Sequence, residues 1–437
     1  MDTSTPYNRA ASIVQERERI RFCQTHESTA TDPKRVLVAG DWASCRCYAD
    51  AAARAASSLY GDYAQTIQDA DLAIVNFECG LAGDGPVRKE GPNLEVTPES
   101  IPALREHGFR LATLANNHTV DFGRSGLDAL LARCDAAGMD VVGAGDDPYR
   151  PVYYDLGDTK VGILNYVEPM EAPVPTHTGS ELANAFDIRV MHEITRTRAE
   201  CDVLLVIIHG AREYVPVPSY YWYSYALRLA DAGADIVIGH HPHVPQGGTL
   251  RVTPDGRTVP VLYSTGNFIF RPAMPVPEQI PPHTGDGYLV ELSIAKKRIE
   301  AVHLLPYGIH GGEGIRPVPT EDLERFCHFI RELSRDLQDP SRVEAWFDAV
   351  VDYQWEKHYA GRFQRFTEKF FAGDIEALRW VRSHHRSPTH YELVDRALMR
   401  IQHGLFGTSD RELRERLSSW YAGSWPCAGF GTPIADQ

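Results

Sequence analysis

The sequence predicts a layered α/β domain followed by an all-helical C-terminal region. Three observations carry that prediction. Short apolar runs ending in Gly, Asn or His recur between Lys34 and Leu305, amphipathic stretches of helical period separate many of them, and beyond Pro317 only helical spacing remains. Strands interleaved with helices in this order are what a sheet covered by helices requires, and the strand-rich part around Val259 to Leu305 points to two sheets.

The elements follow in chain order. Met1 to Thr31 carries Glu16, Arg17, Glu18, Arg19 and Arg21 without an apolar h-region, so 1–33 reads as a helical or irregular extension and not a secretory signal. Val36-Leu37-Val38-Ala39 is a buried strand ending in Gly40-Asp41, and Leu72-Ala73-Ile74-Val75 is another ending in Asn76-Phe77-Glu78. Leu111 to Ala115 ends in Asn116-Asn117-His118, with Asp121 and Gly123 following, and Asn116 and Asp121 shape the turn after the strand. Ser125 to Ala137 is helical, with Leu127, Leu130 and Leu131 on one stripe and Gly138 as its stop. The strands Asp140-Val141-Val142 and Lys160 to Tyr166 follow, then a helix over Asp187 to Glu200. Val203 to Ile208 ends in His209-Gly210 with Glu213 beyond, and Tyr220 to Ala232 is helical. Ala234 to Ile238 ends in Gly239-His240-His241-Pro242-His243. Two Gly- and Pro-rich loops, Gly83 to Pro98 and Arg271 to Gly287, are long enough to line a site.

After Pro317 the pattern predicts helices over Glu321 to Asp339, Ser341 to Tyr359, Gly361 to Phe371, Asp374 to Ser383, Thr389 to Leu405 and Asp410 to Tyr421. Their Trp, Phe and Tyr stripes are packing faces. The expected organisation is therefore an extension over 1–33, a main domain over 34–319 and a helical appendage over 320–437 that helps hold a large substrate or partner.

Composition narrows the function. The chain has 437 residues, 24% charged and 43% hydrophobic, the balance of an ordered protein with one large core and a second unit. A net charge of −15 without a basic stripe argues against nucleic acid. No window resembles a membrane span, and the eight scattered cysteines, Cys45-Arg46-Cys47 among them, suit reduced thiols in the cytoplasm.

The five strand endings converge in meaning. In open α/β sheets ligands bind at the carboxyl ends of strands, and here each such end delivers a carboxylate, an amide or an imidazole. Three imidazoles within His240 to His243 are more than packing needs, since imidazole is both a common metal ligand and a proton carrier near neutral pH.

The motif order is Gly40-Asp41, Asn76-Phe77-Glu78, Asn116-Asn117-His118 with Asp121 and Gly123, His209-Gly210 with Glu213, Gly239 to Val244, and Tyr263 to Phe270. Over roughly residues 34 to 318 it resembles the CapA family, named for a poly-γ-glutamate capsule protein and similar to the calcineurin-like metallophosphoesterases. The resemblance implies a four-layer α/β/β/α sandwich. It implies Asp41 and His243 as ligands of a first metal, Glu78 in the bridging position, and Asn117, His209 and His241 as ligands of a second. His118 matches the imidazole that acts as general acid. Two positions depart from the phosphoesterase pattern: Asp41-Trp42-Ala43 stands where Asp-x-His is usual, and Glu78 replaces a bridging Asp.

These departures favour metal-independent proton transfer. Some CapA-like proteins are lasso-peptide epimerases, and inverting an α-carbon needs one base on each face and donors near the carbonyl. The expected catalytic set is Asp41, Glu78, His118, His209, Glu213 and His243, with Asn117, His240, His241 and Asn267 contacting substrate. That reading needs no cofactor, takes a ribosomal precursor peptide as substrate, allows a precursor-binding partner protein, and places the enzyme in the cytoplasm, away from membrane and nucleic acid. One alternative is a phosphoesterase or amidase using one or two divalent ions (Mn, Zn, Mg or Fe) held by Asp41, Glu78, Asn117, His209, His241 and His243. Another is a role in poly-γ-glutamate capsule biosynthesis.

Overall fold

A computed structural model describes residues 13–16, 19–24, 32–45, 48, 54–89, 91–169, 181–270, 280–386 and 388–423, without the side chains of 382–390. Cys47, Cys427 and the side chains of His384 and His385 lie outside the described residues.

Two sheets form the centre. The larger contains β1 (Val14–Glu16), β2 (Arg19–Gln24), β3 (Lys34–Trp42), β4 (Leu72–Phe77), β5 (Phe109–Thr113) and β6 (Asp140–Val142), with β14 (Asp286–Ala295) and β15 (Arg298–Ile309). Its order is β1-β2-β15-β14-β3-β4-β5-β6, with β13 (Asn267–Ile269) beside β3 and β16 (Ile315–Pro317) beside β15. The smaller contains β7 (Val152–Leu156), β8 (Thr159–Val167), β9 (Val203–His209), β10 (Ile236–His240), β11 (Gly248–Val252) and β12 (Thr258–Leu262), in the order β11-β12-β10-β9-β8-β7.

Side-chain alternation explains the layering. In β3 and β4, Val36, Val38, Leu72 and Ile74 enter the core shared with the smaller sheet, while Leu37, Ala39, Ala73 and Val75 enter a second core. That second core is closed by residues of helices Ser100–Glu106 and Gly123–Ala137. Every residue of β9 is buried, as a parallel strand covered on both faces must be. The outer cover of the smaller sheet is the helix Val190–Glu200 on β8 and β9 and the helix Tyr220–Ala232 on β10 and β12. The result is the expected α/β/β/α sandwich.

Local signals set the helix ends. Gly138 sits at φ 65° and closes the Gly123–Ala137 helix in the left-handed conformation. Ser219 caps the Tyr220–Ala232 helix, its hydroxyl accepting from the Trp222 amide at 3.2 Å.

Beyond β16 come helices Thr320–Asp336, Pro340–Gln354, Ala360–Phe371, Ile375–Arg386, Pro388–Gln402 and Arg411–Tyr421, with a π-helical turn over Trp355–Tyr359. Phe326, Trp346, Val350, Leu417 and Trp420 join the same apolar cluster as the smaller sheet. Thr320–Asp336 packs on β1, β2 and β11, and Pro340–Gln354 on the Tyr220–Ala232 helix. No helix among the described residues is long and apolar enough to cross a membrane.

The N-terminal expectation is corrected here. Val14–Glu16 and Arg19–Gln24 are strands, and β2 pairs antiparallel with β15. Ile20 and Phe22 are buried while Arg19 and Arg21 point outward, a period of two that the dense charge conceals.

Candidate metal centre

The site forms where the carboxyl ends of strands from both sheets meet. Parallel pairing sets Asp41 of β3 against Asn76 of β4, and His209 of β9 against His240 of β10. Glycine lets the backbones close up beneath it: a Cβ at Gly40 would lie 2.3 Å from the Gly266 carbonyl oxygen, and one at Gly239 2.1 Å from that of Tyr263. His241 and His243 hold φ values of 99° and 57°, left-handed conformations that a side chain adopts only when its surroundings impose them.

Six side chains converge. Ligand-capable atoms of Asp41, Glu78 and His209 lie within 4.8 Å of one another, as do those of Glu78, His241 and His243. Glu78 is common to both groups. His209 Nε2 stands 3.5 Å from Glu78 Oε1 and 2.9 Å from Asn117 Oδ1. His243 Nε2 stands 3.9 Å from the same Glu78 oxygen. Asp41 is fixed by the Asn76 amide, which donates to Oδ1 at 2.8 Å, and by the His241 backbone amide, which donates to Oδ2 at 3.3 Å. Both oxygens of Glu78, with His240 Nε2 and His241 Nδ1, are buried without a hydrogen-bond partner among the described residues.

Beside this cluster is a second group. His118 Nδ1 lies 2.7 Å from Asp121 Oδ2, and Asp121 also accepts the Leu94 amide at 2.7 Å. The buried ammonium of Lys89 meets Asp121 Oδ1 and donates to the Asn117 carbonyl at 3.2 Å, with His118 Nδ1 3.1 Å away.

Burial and charge act in opposite senses across the cluster. Burial pushes the Asp41 carboxyl up, but hydrogen bonding and charge from His240 and His243 prevail and hold it well below the carboxylate range. Glu78 goes the other way: burial, then the charges of Asp41 and Glu213, raise it well above its usual value. Burial and neighbouring imidazoles push His209 and His241 far down. His118 is pushed down to about 4 by burial and by Lys89, against the pull of Asp121. His243 is penalised by burial yet ends raised, because Asp41 lies 3.3 Å from its Nδ1.

Asp41, Glu78, Asn117, His209, His241 and His243 therefore lie together, with His118 alongside. Three residues occupy other places than expected. Glu213 is at the rim, its carboxylate 38% exposed and 3.8 Å from His241 Nε2. His240 is buried behind Asp41, its Nδ1 3.4 Å from Asp41 Oδ1 and 3.1 Å from Thr265 Oγ1, and not on a substrate surface. Asn267 is fully buried and bonds His243 Nδ1 at 2.9 Å, so it braces that ring instead of contacting substrate. Asp121 does more than shape a turn, since it holds His118. Asn116 does shape it, taking the His118 and Thr119 amides at 3.1 and 3.0 Å.

Sequence reasoning missed Lys89 and Tyr214, and it gave no role to Asn76 and Phe270, which lie within the motifs themselves. Lys89 belongs to the Gly- and Pro-rich loop suspected of lining a site, but nothing local marks which residue of that loop turns inward. Phe270 and Tyr214 stack on His243 at 4.5 and 5.7 Å between ring centres.

Comparison with known proteins adds lineage to this geometry. The family described as "Bacterial capsule synthesis protein PGA_cap" matches residues 35–272. The capsule biosynthesis protein CapA of Bacillus anthracis is 29% identical over 254 residues, covering 56% of this chain and 58% of that one. The PGA biosynthesis protein CapA of Bacillus subtilis is 28% identical over 269 residues, covering 58% and 64%. The chain thus spans about three fifths of the length of these relatives. Among solved structures, a phosphatase from Mycoplasma pneumoniae aligns with a TM-score of 0.41 at 16% identity, covering 63% of this chain and 93% of that one.

Proposed function

This chain belongs to the bacterial capsule synthesis protein PGA_cap family, and on that premise we propose that it acts in the synthesis or trimming of a poly-γ-glutamate-type polymer. In this reading it breaks or transfers an amide bond at a divalent-cation centre. One observation carries it: Glu78 belongs to both ligand-capable groups, and its two oxygens are buried with no hydrogen-bond donor among the described residues. A buried carboxylate without a donor is costly, and a cation is the partner that this donor set of carboxylate, amide oxygen and imidazole suits.

Asp41, Glu78, Asn117, His209, His241 and His243 would hold the cation or cations. A bound divalent ion supplies Lewis acidity toward a carbonyl or phosphoryl oxygen and makes water a usable nucleophile near neutral pH. The remaining chemistry belongs to the chain. Asp121 keeps a proton on His118 Nδ1, which leaves Nε2 to exchange a proton with the reacting group. His240 and Asn76 orient Asp41, and Asn267 turns the His243 ring. Lys89 pairs with Asp121, so the carboxylate that holds His118 adds no uncompensated negative charge beside a site that would receive an anionic polymer.

Epimerisation of a lasso-type peptide uses the same acid and base groups but finds no support among the relatives, whose names concern capsule and polyglutamate synthesis. Metal titration and polymer turnover separate the readings. Protein loaded with Mn²⁺ or Zn²⁺ should release glutamyl fragments from poly-γ-glutamate and stop when chelated. Glu78→Gln should lose bound metal by more than the ~10–100-fold typical of outer partners. Undiminished activity after chelation would overturn the metal assignment. An intact polymer beside a fully loaded protein would overturn the substrate.

A further inference from the structure

We infer that the Arg411–Tyr421 helix is a working part of this centre: its neighbouring residues Trp420 and Tyr421 fix His243 from two sides. The inference rests on the metal-centre reading above only in that His243 is taken as a ligand.

The first path runs through Tyr421. Its hydroxyl donates to the Tyr214 carbonyl at 2.8 Å, the Tyr214 amide donates to the Pro242 carbonyl at 2.9 Å, and the Tyr214 ring stacks on His243. Tyr214 sits at φ 59°, a left-handed conformation that a non-glycine residue keeps only when held from outside. Tyr421 is that hold, and its own ring is fixed by stacking on Tyr353 at 4.7 Å.

The second path runs through Trp420. Its indole stacks on His283 at 4.7 Å, and its carbonyl accepts from His283 Nε2 at 3.1 Å. The next residue, Thr284, presents its carbonyl to the Asn267 amide at 3.0 Å. The same amide group donates to the His243 carbonyl at 3.2 Å, while Asn267 Oδ1 accepts from His243 Nδ1 at 2.9 Å. That last bond sets the ring so that Nε2 is the nitrogen left for a ligand. Two adjacent residues of a helix more than 170 positions away in sequence thus control the backbone and the ring of one imidazole.

Trp420 and Tyr421 are positioning residues, so the test must separate position from stability. Mn²⁺ affinity of the full chain, followed by electron paramagnetic resonance, is compared for Tyr421→Phe, Trp420→Leu, Trp420→Phe and Leu417→Ala. Leu417 is fully buried in the same helix and belongs only to the apolar core. Tyr421→Phe and Trp420→Leu should each weaken Mn²⁺ binding by roughly tenfold, the lower end for outer partners of a metal ligand. Trp420→Phe should restore most of the loss, and Leu417→Ala should lower the unfolding midpoint without changing affinity. Unaltered affinity in both Tyr421→Phe and Trp420→Leu, or an equal loss in Leu417→Ala, overturns the inference. Should the wild-type protein bind no Mn²⁺, the metal-centre reading fails by itself, and the imidazole ¹⁵N resonances of His243 decide instead. Displacement in Tyr421→Phe and Trp420→Leu but not in Leu417→Ala supports positioning; unmoved resonances overturn it.

Discussion

At the scale of single residues, the His118, Asp121 and Lys89 group divides proton handling from structural charge. His118 lies beside the cluster with its Nδ1 committed to Asp121, so His118→Ala should remove proton transfer while leaving the metal ligands in place. On the proposed function, the expected loss is about 10²–10⁴-fold in turnover of the polymer at unchanged metal content. Loss of metal together with activity would instead make His118 a ligand. Lys89 has a different role, since its side chain is 6% exposed and pairs with an Asp121 that is 1% exposed. Lys89→Met leaves buried Asp121 with only His118 and the Leu94 amide as partners, and breaking such an ion pair costs up to about 3–5 kcal/mol. A denaturant midpoint that does not move would mean that water reaches Asp121 after all.

At the scale of elements, strand ends carry the proposed ligands while the caps of the outer-layer helices hold the layers together, and two substitutions contrast them. Gly239→Ala at the end of β10 drives a Cβ against the rigid Tyr263 backbone. Overpacking of that kind costs about 1–3 kcal/mol, and here it also displaces the loop carrying His241 and His243, so metal affinity should fall with stability. Ser219→Ala removes the cap of the Tyr220–Ala232 helix at a cost of about 1 kcal/mol and should leave metal affinity alone. Calorimetry with metal titration on both variants checks the contrast; equal metal loss would mean that the outer helices reach the centre. The same scale shows what sequence pattern can carry. Uncharged apolar runs such as Val203 to Ile208 were legible because burial on both faces leaves a continuous signal. Arg19 to Gln24 was not, because only Ile20 and Phe22 carry the alternation there and charge dominates the window.

At the scale of the whole molecule, the C-terminal helices share the core of the sandwich and reach the edge that carries the candidate metal centre. A buried pair, Arg400 with Asp352, ties the Pro388–Gln402 helix to Pro340–Gln354 at 2.9 Å. Arg400→Leu should destabilise the protein by about 3–5 kcal/mol, the penalty for breaking a buried ion pair, as read in a denaturant melt. A melt indistinguishable from wild type would show that backbone amides of Gly407 and Ser409 suffice for Asp352.

By itself the sequence determined the central strands and the helices that follow them, the layered class and the five strand ends that carry polar groups. Those features are local: a buried strand or an amphipathic helix writes its period directly into a short run of residues. Only the tertiary structure decided that Glu78 joins both ligand groups, that Glu213 stays at the rim, that Lys89 turns inward, and that Trp420 and Tyr421 reach His243. These are distances between segments far apart in the chain, fixed by how sheets stack and loops close, and no local period encodes them.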